Sequence, residues 1–353
     1  MRGSKRKRFE DEIAVTTNHG VSDVSDLVIP VSRGAGRTAE TLCVRSVLYG
    51  IPPDLEDTMK VRNGVDTQTG QSFGSIAAIF RGPFLEKVAT GTHARAILEL
   101  ANYYSDFHPP SQSGPLSEWF DFFYTLLFER YRCEYVYKNA IASKIFLSRH
   151  SLQDSYMTDE LRSGASRADV VILNGTSTVY EIKSQFDSFD RLPSQLNDYR
   201  RIFDLIYIVT TVSKAAPLSD IVTNDIGVIV MRQDGSLSTV RKALSNRHNT
   251  DPAAIFDCMR QEEFCKAVTE ACGPFPKVPN SEVYRVAKNL FCSLPPYRAH
   301  DLMVRHLKGR GKKKPFEDLI RAAPVSLKHA CLSFTKSQAM AQQIQSRLRE
   351  PIS

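Results

Sequence analysis

The sequence predicts a small α/β domain flanked on both sides by helical regions. Three observations carry this. Between Glu160 and Lys183, short β-branched runs alternate with turn residues. Arg191–Phe203 carries apolar residues at helical spacing and is followed at once by another β-rich run. From Asp251 to the last residue the periodicity is helical. The length, 353 residues, suits about two domains.

Residues 1–35 read as a basic flexible arm, with Arg2, Lys5, Arg6, Lys7 and Arg8 clustered. Residues 36–115 form a mostly helical N-terminal region. The run His108-Pro109-Pro110-Ser111-Gln112-Ser113-Gly114-Pro115 ends it, since these residue types favour turns. The core spans 116–245. Ser117 is a candidate N-cap for a helix over Glu118–Arg130. Tyr137, Ile141 and Ile145 set the stripe of a second helix over Glu134–Leu147. Glu160–Arg162, Arg167–Leu173 and Thr178–Lys183 read as strands, with Asn174-Gly175 as a hairpin turn between the last two. In the helix Arg191–Phe203, Pro193 falls in the first turn, where its missing N–H costs nothing. The stripe of that helix is Leu192, Leu196, Tyr199 and Phe203. Leu205–Thr211 should be a buried strand, and Ile226–Met231 and Ser236–Val240 add two more. Residues 246–353 form a helical C-terminal region with a basic segment over 305–314.

Composition excludes several classes. Lys and Arg number 46 against 39 Asp and Glu, a net charge of +7, and the apolar fraction of 42% is ordinary for a globular protein. No stretch reaches the roughly 18 apolar residues of a membrane span, and the basic start lacks the apolar segment of a secretory signal. We therefore expect a cytoplasmic protein without a membrane partner. The seven cysteines form no CxxC pair, which argues against a structural zinc site. Cys258, Cys265 and Cys272 recur every seven residues and read as a buried stripe of free thiols on one helix. No phosphate-binding glycine loop is present, so ATP-driven action by this chain alone is not expected. The basic clusters, including Arg310, Lys312, Lys313 and Lys314, suit a polyanion, because neutralised phosphates release counterions. Trp119, at a helix start, reads as a core residue.

The chemistry concentrates in two strands. Asp169, Glu181 and Lys183 stand in an otherwise apolar setting, where burying charge without partners is costly. Glu181 and Lys183 are two apart and share a face. If Asp169 lies nearly opposite Glu181, the Cβ separation is about 5 Å, and the two carboxylates can share Mg²⁺ (or Mn²⁺), with the Ile182 carbonyl as a further ligand. Lys183 then orients the attacking water or stabilises charge growing on a phosphate. Register decides this. A two-residue turn at Asn174-Gly175 would pair Asp169 with Tyr180 and put the carboxylates on opposite faces. We therefore predict a three-residue loop or a bulge. Gln195 and Tyr199, four apart on one helix face, are candidates to hold the substrate strand. Glu134, one turn before Lys138, could hold a second metal or a metal-bound water. Glu129 competes for that role, and a surface pair between Glu134 and Lys138 is the alternative.

These residues resemble a known family. Asp169, eleven intervening residues and Glu181-x-Lys183 resemble the PD-(D/E)xK nuclease superfamily, and Gln195-x-x-x-Tyr199 looks like the extra motif of its RecB-like branch. Glu134-Tyr135-Val136-Tyr137-Lys138-Asn139, Tyr180-Glu181-Ile182-Lys183 and Asp190-Arg191-Leu192-Pro193 also look like a group of uncharacterised bacterial or prophage proteins of that superfamily. The resemblance covers about residues 117–245. One departure is Ala168, where the family often has proline. The resemblance implies a restriction-endonuclease-like core, a mixed central sheet flanked by helices. It also implies a Mg²⁺- or Mn²⁺-dependent deoxyribonuclease, catalytic at Asp169, Glu181, Lys183 and Glu134, in phage defence or DNA processing. A nucleic-acid-binding protein without catalysis and an RNA-directed nuclease are the alternatives. On this reading Lys183→Ala abolishes cleavage and leaves fold and DNA affinity nearly intact.

Overall fold

Six strands form one sheet in sequence order: β1 (Tyr156–Ser163), β2 (Ser166–Asn174), β3 (Thr176–Lys183), β4 (Leu205–Thr211), β5 (Gly227–Met231) and β6 (Leu237–Arg241). The computed structural model describes residues 73–312 and 316–352. β1, β2 and β3 are antiparallel neighbours, β3, β4 and β5 run parallel, and β6 returns antiparallel. The sheet is thus mixed. Its parallel part needs crossovers, which α6 (Leu192–Arg200) and α7 (Val212–Ile221) supply.

Helices cover both faces. On one lie α1 (Gly74–Ala78), α2 (Gly82–Thr90), α3 (Ala94–Tyr103), α4 (Leu116–Arg130) and α5 (Glu134–Ile141). α5 runs on through a π-helical stretch, Ala142–Phe146, to a last turn at Arg149. On the other face, beside α6 and α7, lie α8 (Pro252–Asp257), α9 (Gln261–Cys272), α10 (Asn280–Cys292) and α11 (Pro296–Lys312). The chain then returns to the first face with α12 (Glu317–Ala322), α13 (Lys328–Phe334) and α14 (Gln338–Arg347).

This layering explains the near-continuous apolar runs. A strand covered on both faces buries every side chain, so hydrophobic alternation disappears. Val170 and Ile172 enter one core and Val171 and Leu173 the other. All of β5 is buried. The helix stripe behaves as its spacing predicts: Leu192, Leu196, Tyr199 and Phe203 are all buried, as is Trp119.

Two expectations change. Cys258 caps α8 whereas Cys265 and Cys272 lie on α9, so no single helix carries the three. Cys272 is exposed, which leaves no buried thiol stripe. α7 has no counterpart in the sequence reading, because Pro217 sits in its interior, where proline removes a helix hydrogen bond. Among the described residues no helix is long and apolar enough to cross a membrane. The basic arm of residues 1–35 and the start of the N-terminal region, with Cys43, lie outside the described residues.

Candidate functional site

The hairpin between β2 and β3 sets the site. Leu173 faces Ser177 and Val170 faces Tyr180, so Asn174, Gly175 and Thr176 close the turn. Gly175 takes φ 70°, which glycine adopts without steric cost. The loop is one residue longer than a simple two-residue turn, as the sequence reading predicted, and the slip brings Asp169 level with Glu181.

The ladder stops one residue short of that level. Beyond the Val170–Tyr180 pair, Asp169 Oδ2 accepts the backbone N–H of Ile182 at 2.7 Å, so a side chain replaces a ladder bond. On the other side, Glu160 stands between the Asp159–Val170 and Leu161–Ala168 pairs with φ 53°. This left-handed conformation breaks the alternation of faces. Met157 and Leu161, four apart, lie in opposite cores, as do Val170 and Ala168. The sheet therefore changes face at the level of Glu160 and Asp169, where carboxyl groups from neighbouring strands meet.

One interlocked group lies under α6. Glu181, 1% exposed, accepts from Lys183 Nζ at 2.9 Å and from the Tyr199 hydroxyl at 2.7 Å. Lys183 also donates to Gln195 Oε1 at 2.8 Å, and the Tyr199 hydroxyl lies 2.9 Å from the Arg167 carbonyl, so its single proton is shared between two acceptors. Helical spacing puts Gln195 and Tyr199 together above these charges. Tyr199 is fully buried and bonded to Glu181, so its ring lies inside the fold, whereas the sequence reading made it a candidate to hold a substrate strand. Burial, then the nearby Glu181 carboxylate, pushes Asp169 up to about 8, against the pull of the Ile182 N–H.

A second group lies under α5. Glu134, in its first turn, is exposed and pairs with Lys138 at 2.6 Å, and Lys138 also reaches Glu160 at 3.1 Å. The expected helix-face pair of Glu134 and Lys138 thus exists. It does not remove Glu134 from the site, because carboxylate oxygens of Glu134, Glu160 and Asp169 all lie within 4.8 Å of one another. Three hard oxygen donors so placed could hold a divalent cation such as Mg²⁺ or Mn²⁺. Glu181 borders this group without belonging to it, and the atom of Ile182 that touches the site is its amide nitrogen. Behind Lys138, Asp159 bonds His329 Nε2 at 2.9 Å. Burial would raise the Asp159 carboxyl, but His329 and Lys138 outweigh it and hold it below its ordinary value. Asn139 accepts the His329 N–H and donates to the Val325 carbonyl, tying α5 to the α13 segment.

Sequence reasoning missed Glu160 and the Asp159–His329 pair. The signal was present, since Asp159 and Glu160 are also charges in a strand. The backbone turn that aims Glu160 at Asp169 has no sequence marker. Glu129 is exposed and outside the acidic group. Arg310 forms a two-pronged pair with Glu263, both bonds at 2.6 Å, which joins α11 to α9. It is thus engaged within the fold rather than offered to a phosphate. Lys312 ends α11, and Lys313 and Lys314 lie outside the described residues. A Ser177–His300–Asp301 chain, with contacts of 2.8 and 3.5 Å, imitates a nucleophilic triad. Ser177 and His300 are completely buried, and Ser177 also accepts the Asp204 N–H, so this is a structural network.

The chain is 20% identical to the SPO1766 protein of unknown function from Silicibacter pomeroyi, with a TM-score of 0.22, over 26% of this chain and 62% of that one. It is 33% identical over 87 residues to Protein cII of Enterobacteria phage P4, which is 24% of this chain and 33% of that protein. The aligned part spans about a third of that relative's length. The family described as Bacteriophage P4 protein cII matches residues 128–329, more than half of the chain. That range begins just before Glu134, includes every residue of both charged groups and ends at His329. The chain belongs to the bacteriophage P4 protein cII family.

Proposed function

We propose that the chain is a metal-dependent nuclease hydrolysing phosphodiester bonds of DNA, in the manner of the PD-(D/E)xK superfamily. The observation that carries this is the position of Asp169. It stands level with Glu181 on one neighbouring strand and within 4.8 Å of the Glu134 and Glu160 carboxylates on its other side. Like charges at this spacing repel, so a cation among the three carboxyl groups would relieve them.

Asp169, Glu134 and Glu160 would hold Mg²⁺ or Mn²⁺, with Glu181 adjoining. The ion would polarise the scissile phosphate and lower the pKa of its bound water. The chain's own residues set the rest. Tyr199 fixes one oxygen of Glu181 and Lys183 the other. Gln195 Oε1 accepts a second hydrogen bond from the Lys183 ammonium. Two of the three Lys183 hydrogens are thereby spent, and the third serves the attacking water or the charge growing on phosphate. Lys138 neutralises Glu134 and Glu160 until a cation takes up that charge.

A second reading, a nucleic-acid-binding protein without catalysis, draws on one observation. Glu181, Lys183, Glu134 and Glu160 each already have a charged partner within the protein. Calorimetric titration with Mn²⁺ separates the two, because this second reading predicts no site. The direct test is cleavage of linear double-stranded, single-stranded and supercoiled DNA by the protein and its Asp169→Ala variant, in Mg²⁺, Mn²⁺ and EDTA. Cutting that needs the ion and is lost in the variant is expected. Equal cutting by both proteins would overturn the proposal.

A further inference from the structure

A ladder of stacked rings leads from the core to the surface. Tyr104 stacks on Phe73 with ring centres 5.9 Å apart, and Phe73 on Tyr131 at 6.3 Å. Phe186 covers Tyr131 at 5.0 Å, its plane tilted by 35°. Tyr104 and Phe73 are buried and Tyr131 is half-buried, whereas Phe186 is 46% exposed. The ladder therefore ends in water.

Both outer rings come from segments that carry the candidate site. Tyr131 precedes Glu134 by three residues, and Phe186 follows Lys183 by three. Three residues span at most about 11 Å of chain, so neither ring's backbone can stray far from the charged groups. The turn that presents Phe186 is tightly tied. Ser184 donates to Asp187 Oδ2 through its backbone N–H at 2.8 Å and its hydroxyl at 2.6 Å. The Asp187 N–H returns to the Ser184 carbonyl, and the Phe186 N–H donates to the Ser184 hydroxyl. Lys214 donates to the Asp187 carbonyl and so places a cation on the flank of the same turn.

An exposed ring on a hydrogen-bonded turn, with a cation on the flank of that turn, suits a flat partner with a phosphate attached. We propose that Phe186, backed by Tyr131, is the stacking platform for an unpaired nucleobase of single-stranded DNA, with Lys214 facing the adjoining phosphate. This rests on the nuclease reading and narrows its substrate. Bases within a duplex have both faces covered by their neighbours, so only an unpaired base offers one to the ring. A base stacked on an aromatic side chain contributes enough for its removal to weaken binding by about tenfold or more.

The test is fluorescence anisotropy of a labelled oligo-dT with the full chain in EDTA, comparing wild type, Phe186→Ala and Phe186→Trp, with a blunt duplex as the second ligand. Phe186→Ala should weaken oligo-dT binding about tenfold, Phe186→Trp should retain it, and duplex affinity should not change. Equal oligo-dT affinity in wild type and Phe186→Ala, or an equal loss on the duplex, overturns the proposal. Tighter binding of oligo-rU with the same dependence on Phe186 overturns the assignment to DNA. The melting temperature of Phe186→Ala should match wild type, since the ring is half in water; a large fall would mean that the ring serves the fold, and would also overturn it. Cleavage by the same proteins keeps the two readings apart. Metal-dependent cutting with binding indifferent to Phe186 sinks the platform alone. Binding that depends on Phe186 without any cutting sinks the nuclease alone.

Discussion

Replacing Lys183 with alanine removes the charged partner of Glu181. The carboxylate is 1% exposed, and the Lys183 side chain only 6%. One oxygen would keep the Tyr199 hydroxyl at 2.7 Å, and the other would lose its 2.9 Å contact to an ammonium. Gln195 Oε1 loses its donor as well. Removing one member of a buried pair typically costs about 3–5 kcal/mol, because the surviving charge stays desolvated. The fold should therefore be sensitive to Lys183→Ala, whereas the sequence alone led us to expect it nearly intact; the variant should be destabilised by about 3 kcal/mol or more. Urea unfolding in EDTA, for wild type, Lys183→Ala, Glu181→Gln and the double variant, measures this. The double variant should recover part of the loss, because no uncompensated charge remains, and the cycle gives the coupling directly. Lys183→Ala within about 1 kcal/mol of wild type would refute the reasoning. It follows that loss of cleavage in Lys183→Ala is informative only once folding has been measured.

Three further outcomes are expected. The Asp169 carboxyl is raised to about 8, so the folded protein binds its proton more tightly than the unfolded chain does. Its contribution is favourable below the ordinary carboxyl pKa and is lost as pH rises to about 8; melting in EDTA should show Asp169→Asn equal to wild type at low pH and more stable than wild type above pH 8, with a variant less stable at high pH counting against it. Glu160 holds φ 53°, a conformation that costs residues with a Cβ about 1 kcal/mol or more, so Glu160→Gly should exceed Glu160→Ala in stability by about that amount in urea unfolding. Arg310→Ala breaks the two-pronged pair with Glu263, whose side chains are 13% and 12% exposed. It should lower stability by about 2 kcal/mol while the salt dependence of DNA binding keeps its slope, and a reduced slope would restore Arg310 as a phosphate contact.

The sequence by itself determined the strands of the core, its helices other than α7, their order, and the small set of charges within it. It did so because local periodicity and turn chemistry report directly on backbone conformation. The Asn174-Gly175 turn, the stripe through Leu192 and Phe203, and the charges of Asp169, Glu181 and Lys183 are all local signals. The requirement that two carboxylates meet even gave the register of the β2–β3 hairpin, because a one-residue slip inverts every side chain. Tertiary structure alone decided what those charges touch. It buried Tyr199 and tied it to Glu181, and it spent Arg310 on Glu263. It brought Glu160 beside Asp169 and Glu134 through a single left-handed residue. It also gathered rings from Tyr104 to Phe186 into one ladder. Each of these depends on contacts between segments far apart in the chain, where packing rather than local propensity fixes the outcome.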